Sequence, residues 1–214
     1  MSTQAAAPQS KLMSLLYRPP WVGLLAFVIV FVVQALGHTV MILMEDIFGE
    51  KYVFQSAFAM GLFGAVLLVI GMRKSNEVSA TWLGFWAGTF LWTGWIEFSF
   101  VWSAHTLGVP DLMDARVPGE IATKAEYLVM MSSVGVMMST LAYFLLNKET
   151  KCNMFLWIQR HGHLKTGKPN PAHQRNFAAI TSLETIYVLW FCYLMLLFIY
   201  DENILGDHHP VTYV

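Results

Sequence analysis

The sequence predicts an all-α, polytopic integral membrane protein, built as a bundle of five transmembrane helices. Of its 214 residues, 56% are hydrophobic and only 13% are charged, and the mean hydropathy is +0.51. Five apolar segments are each long enough to cross a hydrocarbon core of about 30 Å, which needs roughly 20 residues. The basic residues gather in alternate connections between these segments. This composition is too apolar for a soluble domain of the same size.

The predicted spans contain neither Lys nor Arg, and their only acidic residues are Glu97 and Glu184. Aromatic residues stand near their ends, where the membrane interface favours them. The spans cover residues 19–44, 52–72, 78–104, 127–147 and 176–200. We expect residues 1–18 to form a mobile cytoplasmic tail and residues 201–214 to form an outer tail.

Charge distribution predicts the orientation of the spans. Ten of the thirteen basic residues fall in the N-terminal tail, the 73–77 turn and the 148–175 loop. By the positive-inside rule the N-terminus is then cytoplasmic and the C-terminus is outside. The opposite face carries ten acidic residues against Lys51, Arg116 and Lys124, and such a face attracts cations or a basic partner. With no glycosylation sequon, the chain fits a multi-pass protein of a bacterial inner (plasma) membrane.

Glu97 is the first candidate functional residue, because an ionisable group at membrane depth is costly unless it is paired, protonated or facing a wet cavity. Counting 1.5 Å per residue from the interfacial tryptophan of each span places His38 at about 26 Å and Glu97 at about 23 Å. The same count places Glu45 at about 36 Å and His105 at about 35 Å. If spans one and three are neighbours, the sequence predicts two stacked pairs, His38 with Glu97 and His105 with Glu45.

Imidazole and carboxylate donors without thiolates suit iron, copper, zinc or manganese. The leading hypothesis is therefore a metal or redox-cofactor site in the outer leaflet of an oxidoreductase or a subunit of one, with His38, Glu97, Glu45 and His105 as candidate metal ligands. His38 and His105 are also the candidate cofactor-binding residues. A bis-histidine haem would need both imidazoles at one level, and their offset of about 9 Å argues against it unless a helix is kinked.

Glu97 and Glu184 are the candidate catalytic residues of a second hypothesis, a proton- or cation-coupled transporter. Glu184 is expected about 14 Å above the inner interface, so Glu184, Glu97 and His38 would form a graded proton relay. The absence of an inverted repeat and of a broken helix in the sequence argues against a carrier. Purely structural roles also remain open: His38 bonded to a carbonyl, and Glu184 as a protonated acid that ties helices together.

The third hypothesis is a non-catalytic membrane subunit or assembly factor. Its outer acids, Asp111, Asp114 and Glu120, would dock a basic periplasmic partner. The expected partners are the lipid bilayer and other membrane subunits, and nothing in the sequence indicates nucleic acid. No motif set assigns the chain to a known family.

Small residues predict where the helices pack. Gly84 and Gly88 form a GxxxG pattern, and Ser132, Gly135 and Ser139 form a similar stripe in span four. Met130, Met131, Met137 and Met138 are expected to fill a core rather than to bind copper. The segment from Asn153 to His161 is expected to form a short amphipathic helix on the inner surface.

Overall fold

The computed structural model describes residues 21–110, 124–150, 153–168, 170–172, 175–200 and 210. Throughout these ranges the elements are helices. The predicted mobile tail at 1–18 lies outside the described residues, as does the outer tail at 201–214 except for residue 210. The middle of the outer loop, 111–123, also lies outside them.

The first helix, α1 (Trp21–Met72), consists of two arms that meet at a sharp break. The arms are Leu24–Gly49 and Lys51–Met72, and they correspond to the first two predicted spans. Gly49 joins them with φ 59° and ψ 178°, a conformation that is essentially restricted to glycine. This single residue therefore turns the chain from one arm into the other.

The third predicted span is helical from Glu77 to Leu107, but it is not one regular helix. It contains α2 (Glu77–Leu91), a π-turn (Trp92–Glu97) and α3 (Phe98–Leu107). A side-chain cap starts α2, because Asn76 accepts a hydrogen bond of 3.0 Å from the Ser79 backbone N–H.

The fourth predicted span is bent. It comprises α4 (Ala125–Met131) and α5 (Val134–Leu146), whose axes differ by 46°. Ser132 and Ser133 lie at the bend, and their hydroxyls donate to the carbonyls of Val129 and Met130, each at 2.6 Å. Such serine bonds compete with the helical ladder and bend helices, which accounts for the kink.

Two further helices complete the described fold, α6 (Asn153–His161) and α7 (Phe177–Tyr200). The predicted short helix after Asn153 is thus confirmed. Asn176 caps α7 by accepting from the Ala179 N–H at 3.0 Å, and its amide donates to the Met72 carbonyl at 3.2 Å. The start of α7 is therefore tied to the end of α1.

Within the described residues, three helices are long and apolar enough to cross a membrane: Leu24–Gly49, Lys51–Met72 and Phe177–Ile199. The bent pair α4 and α5 makes a fourth if it counts as one span. These helices indicate a membrane protein, as predicted from composition. The third predicted span is not among these candidates, because the π-turn interrupts its regular α-helix between Glu77 and Leu107.

Close contact between α2 and α7 confirms the predicted role of the GxxxG pattern. A Cβ on Gly84 would lie 2.4 Å from the Ala178 carbonyl oxygen, and one on Gly88 would lie 2.7 Å from the Ser182 carbonyl oxygen. Glycine is thus required for the two backbones to approach so closely.

The prediction that small residues of span four pack against another helix of the bundle is wrong. Ser132, Gly135 and Ser139 are exposed, and nothing lies within 4 Å of a Cβ built on Gly135. The kink turns a different face inward, so that Met130 and Met137 are buried in the main hydrophobic core. The core role predicted for the methionines holds for these two, whereas Met138 is exposed.

Candidate functional site

Glu97 is the most deeply buried carboxylic acid in the part of the chain that the structure describes, with 1% of its surface exposed. It is the last residue of the π-turn, between α2 and α3. A π-turn closes i→i+5 hydrogen bonds in place of i→i+4, and such turns are frequent at functional sites. The irregularity therefore falls on the residue that the sequence singles out.

Packing against the second arm of α1 holds the π-turn in place. A Cβ on Gly94 would lie 2.4 Å from the Gly61 nitrogen and 2.7 Å from the Ala57 carbonyl oxygen. Next to it, the Trp95 indole N–H donates to the Phe58 carbonyl at 3.1 Å, and the two rings stack with centroids 5.9 Å apart. These contacts fix where the turn presents Glu97.

The Tyr193 hydroxyl donates a hydrogen bond of 2.8 Å to Glu97 Oε1. The Tyr193 ring also stacks on Trp92, with centroids 5.6 Å apart. The second carboxyl oxygen, Glu97 Oε2, is buried and has no hydrogen-bond partner among the described residues. Such orphaned buried oxygens are uncommon, and each calls for an explanation such as an exchangeable proton, a water or an ion.

A narrow cleft lies beside this carboxyl group. Two further buried polar atoms on its walls, Gln34 Oε1 and Trp92 Nε1, find no hydrogen-bond partner within the described ranges. The Trp92 indole N–H acts as a donor towards the Glu97 carboxyl group, at a geometry looser than that of a regular hydrogen bond. The cleft thus presents one donor and two acceptors, and because no water-sized space remains between its walls, a proton on the Glu97 carboxyl group is the partner that fits without a rearrangement.

The cleft also shows that spans one and three are neighbours. It is lined by Gln34 and Gly37 from the first arm of α1 and by Thr93 and Glu97 from the π-turn. A Cβ on Gly37 would lie 3.2 Å from Thr93 Oγ1, so the two helices touch at this level. The adjacency on which the predicted pairs depend is therefore present.

His38 does not hydrogen-bond to Glu97 directly. Its Nδ1 lies 3.1 Å from the Tyr127 hydroxyl, which comes from α4. The Tyr127 ring stacks on Tyr193 with centroids 6.0 Å apart, and Tyr193 bonds to Glu97. Two tyrosines therefore stand between the predicted partners, and the four side chains form one connected polar and aromatic group.

The predicted pair of His105 and Glu45 is replaced by a different ion pair. Glu45 Oε2 lies 3.6 Å from Lys124 Nζ, which also stands 4.0 Å from the buried Glu126. His105 is exposed near the end of α3. Lys124 thus places a positive charge beside both carboxylates. The end of the bundle that holds these charges is named the Glu45 end below.

Glu184 lies apart from this group. It is exposed on the surface of α7, between Ser182 and Thr185, which are buried against α2. No described hydrogen bond or ion pair links Glu184 to Glu97, so the predicted relay between them stays a prediction.

The predicted metal and haem sites gain no support from the described residues. Among them, no three His, Cys, Asp or Glu side chains come close enough to hold a metal ion. His38, Glu97, Glu45 and His105 instead have the separate surroundings given above. The metal-ligand and cofactor assignments thus stay predictions.

Sequence reasoning missed Tyr193 and Tyr127, which are the direct partners of Glu97 and His38. Both are aromatic residues in apolar spans, where tyrosine is usually read as an interfacial residue or a core residue. Depth counting on their own helices would have offered a signal, since each tyrosine can supply a hydroxyl at membrane depth.

A scan of protein-family models finds no family that matches this chain, and searches of curated proteins and of solved structures likewise find no match.

Proposed function

We propose that this chain is a multi-span membrane protein that takes up and releases a proton or small cation at Glu97. The exchange takes place with the solution at the Glu45 end, as one step of a proton- or cation-coupled process. The observation that carries the proposal is the Glu97 carboxyl group, which is buried in the bundle beside a narrow cleft, with one oxygen bonded to Tyr193 and the other without a partner among the described residues.

Energetics support this role. A buried ionised carboxyl group is costly, and a single tyrosine hydroxyl offsets only part of the cost of removing it from water. The site therefore favours a carboxyl group that carries a proton or has a bound cation beside it. Acids in such surroundings commonly mark ion pathways and proton relays in membrane proteins.

The neighbouring side chains supply a route towards one end of the bundle. From Glu97 the group leads through Tyr193 and Tyr127 to His38, and all four side chains carry an exchangeable proton or a site for one. Beyond His38, the charged cluster of Lys124, Glu45 and Glu126 would draw cations from solution. Water would have to bridge the two stacked tyrosines, since their contact is between rings.

The other two hypotheses rest on less. A metal or redox-cofactor site would need donors from His38, Glu97, Glu45 and His105 to converge on one ion. The partner-docking hypothesis rests on Asp111, Asp114 and Glu120, which lie outside the described residues.

The proposal includes the finer topology predicted from the sequence: five spans, a cytoplasmic N-terminus, an outer C-terminus and a bacterial inner membrane. Under this topology the Glu45 end is the outer end. Reporter fusions at residues 75, 116 and 165 test it. We expect the fusion at 116 to report outside and the other two to report inside, and any other pattern overturns the orientation.

The central experiment measures ion flux through purified protein reconstituted in liposomes. A potassium diffusion potential set with valinomycin drives protons inward, and a trapped pH-sensitive dye reports their entry. We expect wild-type protein to raise the entry rate well above that of protein-free liposomes, and Glu97→Gln to return it to that baseline. A parallel assay with a sodium gradient separates proton flux from sodium flux.

Glu77→Gln is the matched control, because it removes an exposed carboxylate at the opposite end of the same helical segment. It should retain wild-type flux. Equal flux in wild type and Glu97→Gln, or no wild-type flux above baseline for either ion, refutes the proposal. Metal analysis of the same preparations adds a second readout: a stoichiometric metal that Glu97→Gln loses would favour the metal hypothesis instead.

A further inference from the structure

The outward face of α7 carries a carboxylic acid where lipid is expected. Glu184 is exposed, and it shares one helix face with Val188, Phe191 and Met195, which are also exposed. Their spacing of four, three and four residues keeps them on one side of an α-helix. This set of four residues is named the Glu184 face.

Depth makes the acid unusual. Glu184 follows Phe177, the first residue of α7, by seven residues, which is about 10 Å of helix rise. Phe177–Ile199 is one of the helices that are long and apolar enough to cross a membrane. At this depth the side chain points outward into the hydrocarbon region, where an ionisable group is costly unless it is paired.

Within the described part of the chain, Glu184 makes no hydrogen bond and no ion pair. Arg175 attracts it electrostatically from the preceding loop but stays beyond ion-pair distance, and its guanidinium lies over the Phe177 ring. The fold therefore leaves this acid without a close partner of its own.

A second copy of the chain is a poor partner for this face. All five predicted spans lack Lys and Arg, so another copy has no cation at membrane depth to place beside Glu184. A symmetric contact between two Glu184 faces would place one carboxyl group against another and offer a cation to neither. A cation on a different membrane protein would satisfy the acid, while the apolar residues of the face would pack against its helix.

We propose that the Glu184 face docks a transmembrane helix of another protein, one that carries a Lys or Arg about 10 Å from the level of Phe177, at the end of α7 nearest Arg175. The inference stands apart from the proposed exchange at Glu97, because Glu184 faces the other side of α7.

Designed peptides test the proposal. The probe is a Leu/Ala transmembrane helix with uncharged flanks and a single Lys seven residues from one end. Its controls are the same helix with Leu at that position and the same helix with Lys at the centre. Purified full-length protein, labelled with a donor dye at its C-terminus, is reconstituted with acceptor-labelled peptide, and energy transfer reports association.

We expect the Lys probe to associate roughly 3- to 20-fold more strongly than the Leu probe, in line with polar contacts between membrane helices. Glu184→Gln should reduce that preference to less than twofold, and Glu77→Gln should leave it unchanged. Phe191→Ala should weaken the association of both probes that carry Lys or Leu seven residues from one end, because it removes apolar contact from the Glu184 face.

Several outcomes overturn the proposal. Equal association of the Lys and Leu probes, or an unchanged preference in Glu184→Gln, removes the role of charge. If the probe with Lys at its centre associates more strongly than the probe with Lys seven residues from one end, the depth assigned to the partner's cation is wrong. Association between donor- and acceptor-labelled copies of the chain that Glu184→Gln abolishes would assign the face to a homodimer. A more than twofold rise in Lys-probe association for Arg175→Gln would identify Arg175 as the partner of Glu184.

Discussion

Replacing Gly94 with alanine tests whether the packing of the π-turn fixes the site. The added methyl group would lie 2.4 Å from the Gly61 nitrogen and 2.7 Å from the Ala57 carbonyl oxygen, whereas ordinary contact begins at 3.4 Å. Both opposing atoms belong to backbone, so no side-chain rotation can relieve the overlap. The π-turn and the second arm of α1 must therefore separate by about 1 Å in a close-packed region.

Overpacking of this kind typically costs about 1–3 kcal/mol. We expect Gly94→Ala to lower the free energy of unfolding by that amount and to slow flux through the Glu97 site. Gly135→Ala is the matched control, because nothing lies within 4 Å of its Cβ and the residue is helical and exposed. That change should stabilise the protein by about 0.5–1 kcal/mol, since alanine loses less backbone entropy than glycine.

Equilibrium unfolding in bicelles, followed by circular dichroism and tryptophan fluorescence, measures both variants. The opposite signs expected for two Gly→Ala changes make the comparison sharp. If Gly94→Ala is as stable as Gly135→Ala, the close approach of the π-turn to α1 is not a constraint, and the reasoning fails.

Three further predictions concern the polar group and the Glu45 end. Tyr127→Phe and His38→Ala should each lower the free energy of unfolding by about 0.5–1.5 kcal/mol. The double variant should lose little more stability than either single variant, because the two side chains share one hydrogen bond. Additive losses in a double-mutant cycle would contradict that bond. Lys124→Met should lower the free energy of unfolding by less than about 1 kcal/mol, and the loss should shrink in high salt, because the ion pair with Glu45 is partly exposed. A larger loss that persists in high salt would contradict a weak, screened ion pair. His105→Ala should change unfolding by less than about 0.5 kcal/mol and leave flux intact, and a clear loss of either would restore His105 to the site.

Hydrophobic length and the scarcity of basic residues located the three helices that, within the described residues, are long enough to cross a membrane. The predicted spans at 52–72 and 176–200 differ from Lys51–Met72 and Phe177–Ile199 by at most one residue at each end. The first span ends five residues later than predicted, at Gly49. Glu45 and Asp46 suggested an earlier end, but the helix continues past them until a glycine allows the reversal.

The interruptions inside the spans were harder to predict. The π-turn has no sequence signature of its own, because it depends on the contact between Gly94 and a different helix. The bend after Met131 does have a local cause in Ser132 and Ser133. From the sequence alone, that serine pair is as consistent with close helix packing as with a bend in the helix.

The candidate site was predicted in part. Burial of Glu97 follows from the high cost of an acid in an apolar span, and the contact between spans one and three places His38 in the same region as Glu97. Depth counting fixes height along a helix but not direction around it. For this reason it could not show that tyrosines would fill the space between the two residues, or that Glu184 would face outward.

The break at Gly49 has a consequence for how the protein enters the membrane. The arms Leu24–Gly49 and Lys51–Met72 are joined with no loop between them, so where both cross the membrane they form one helical hairpin. We expect the two arms to enter the bilayer together, with Glu50 and Lys51 crossing at the tip. A longer linker at Gly49 should then let the arms enter in separate steps.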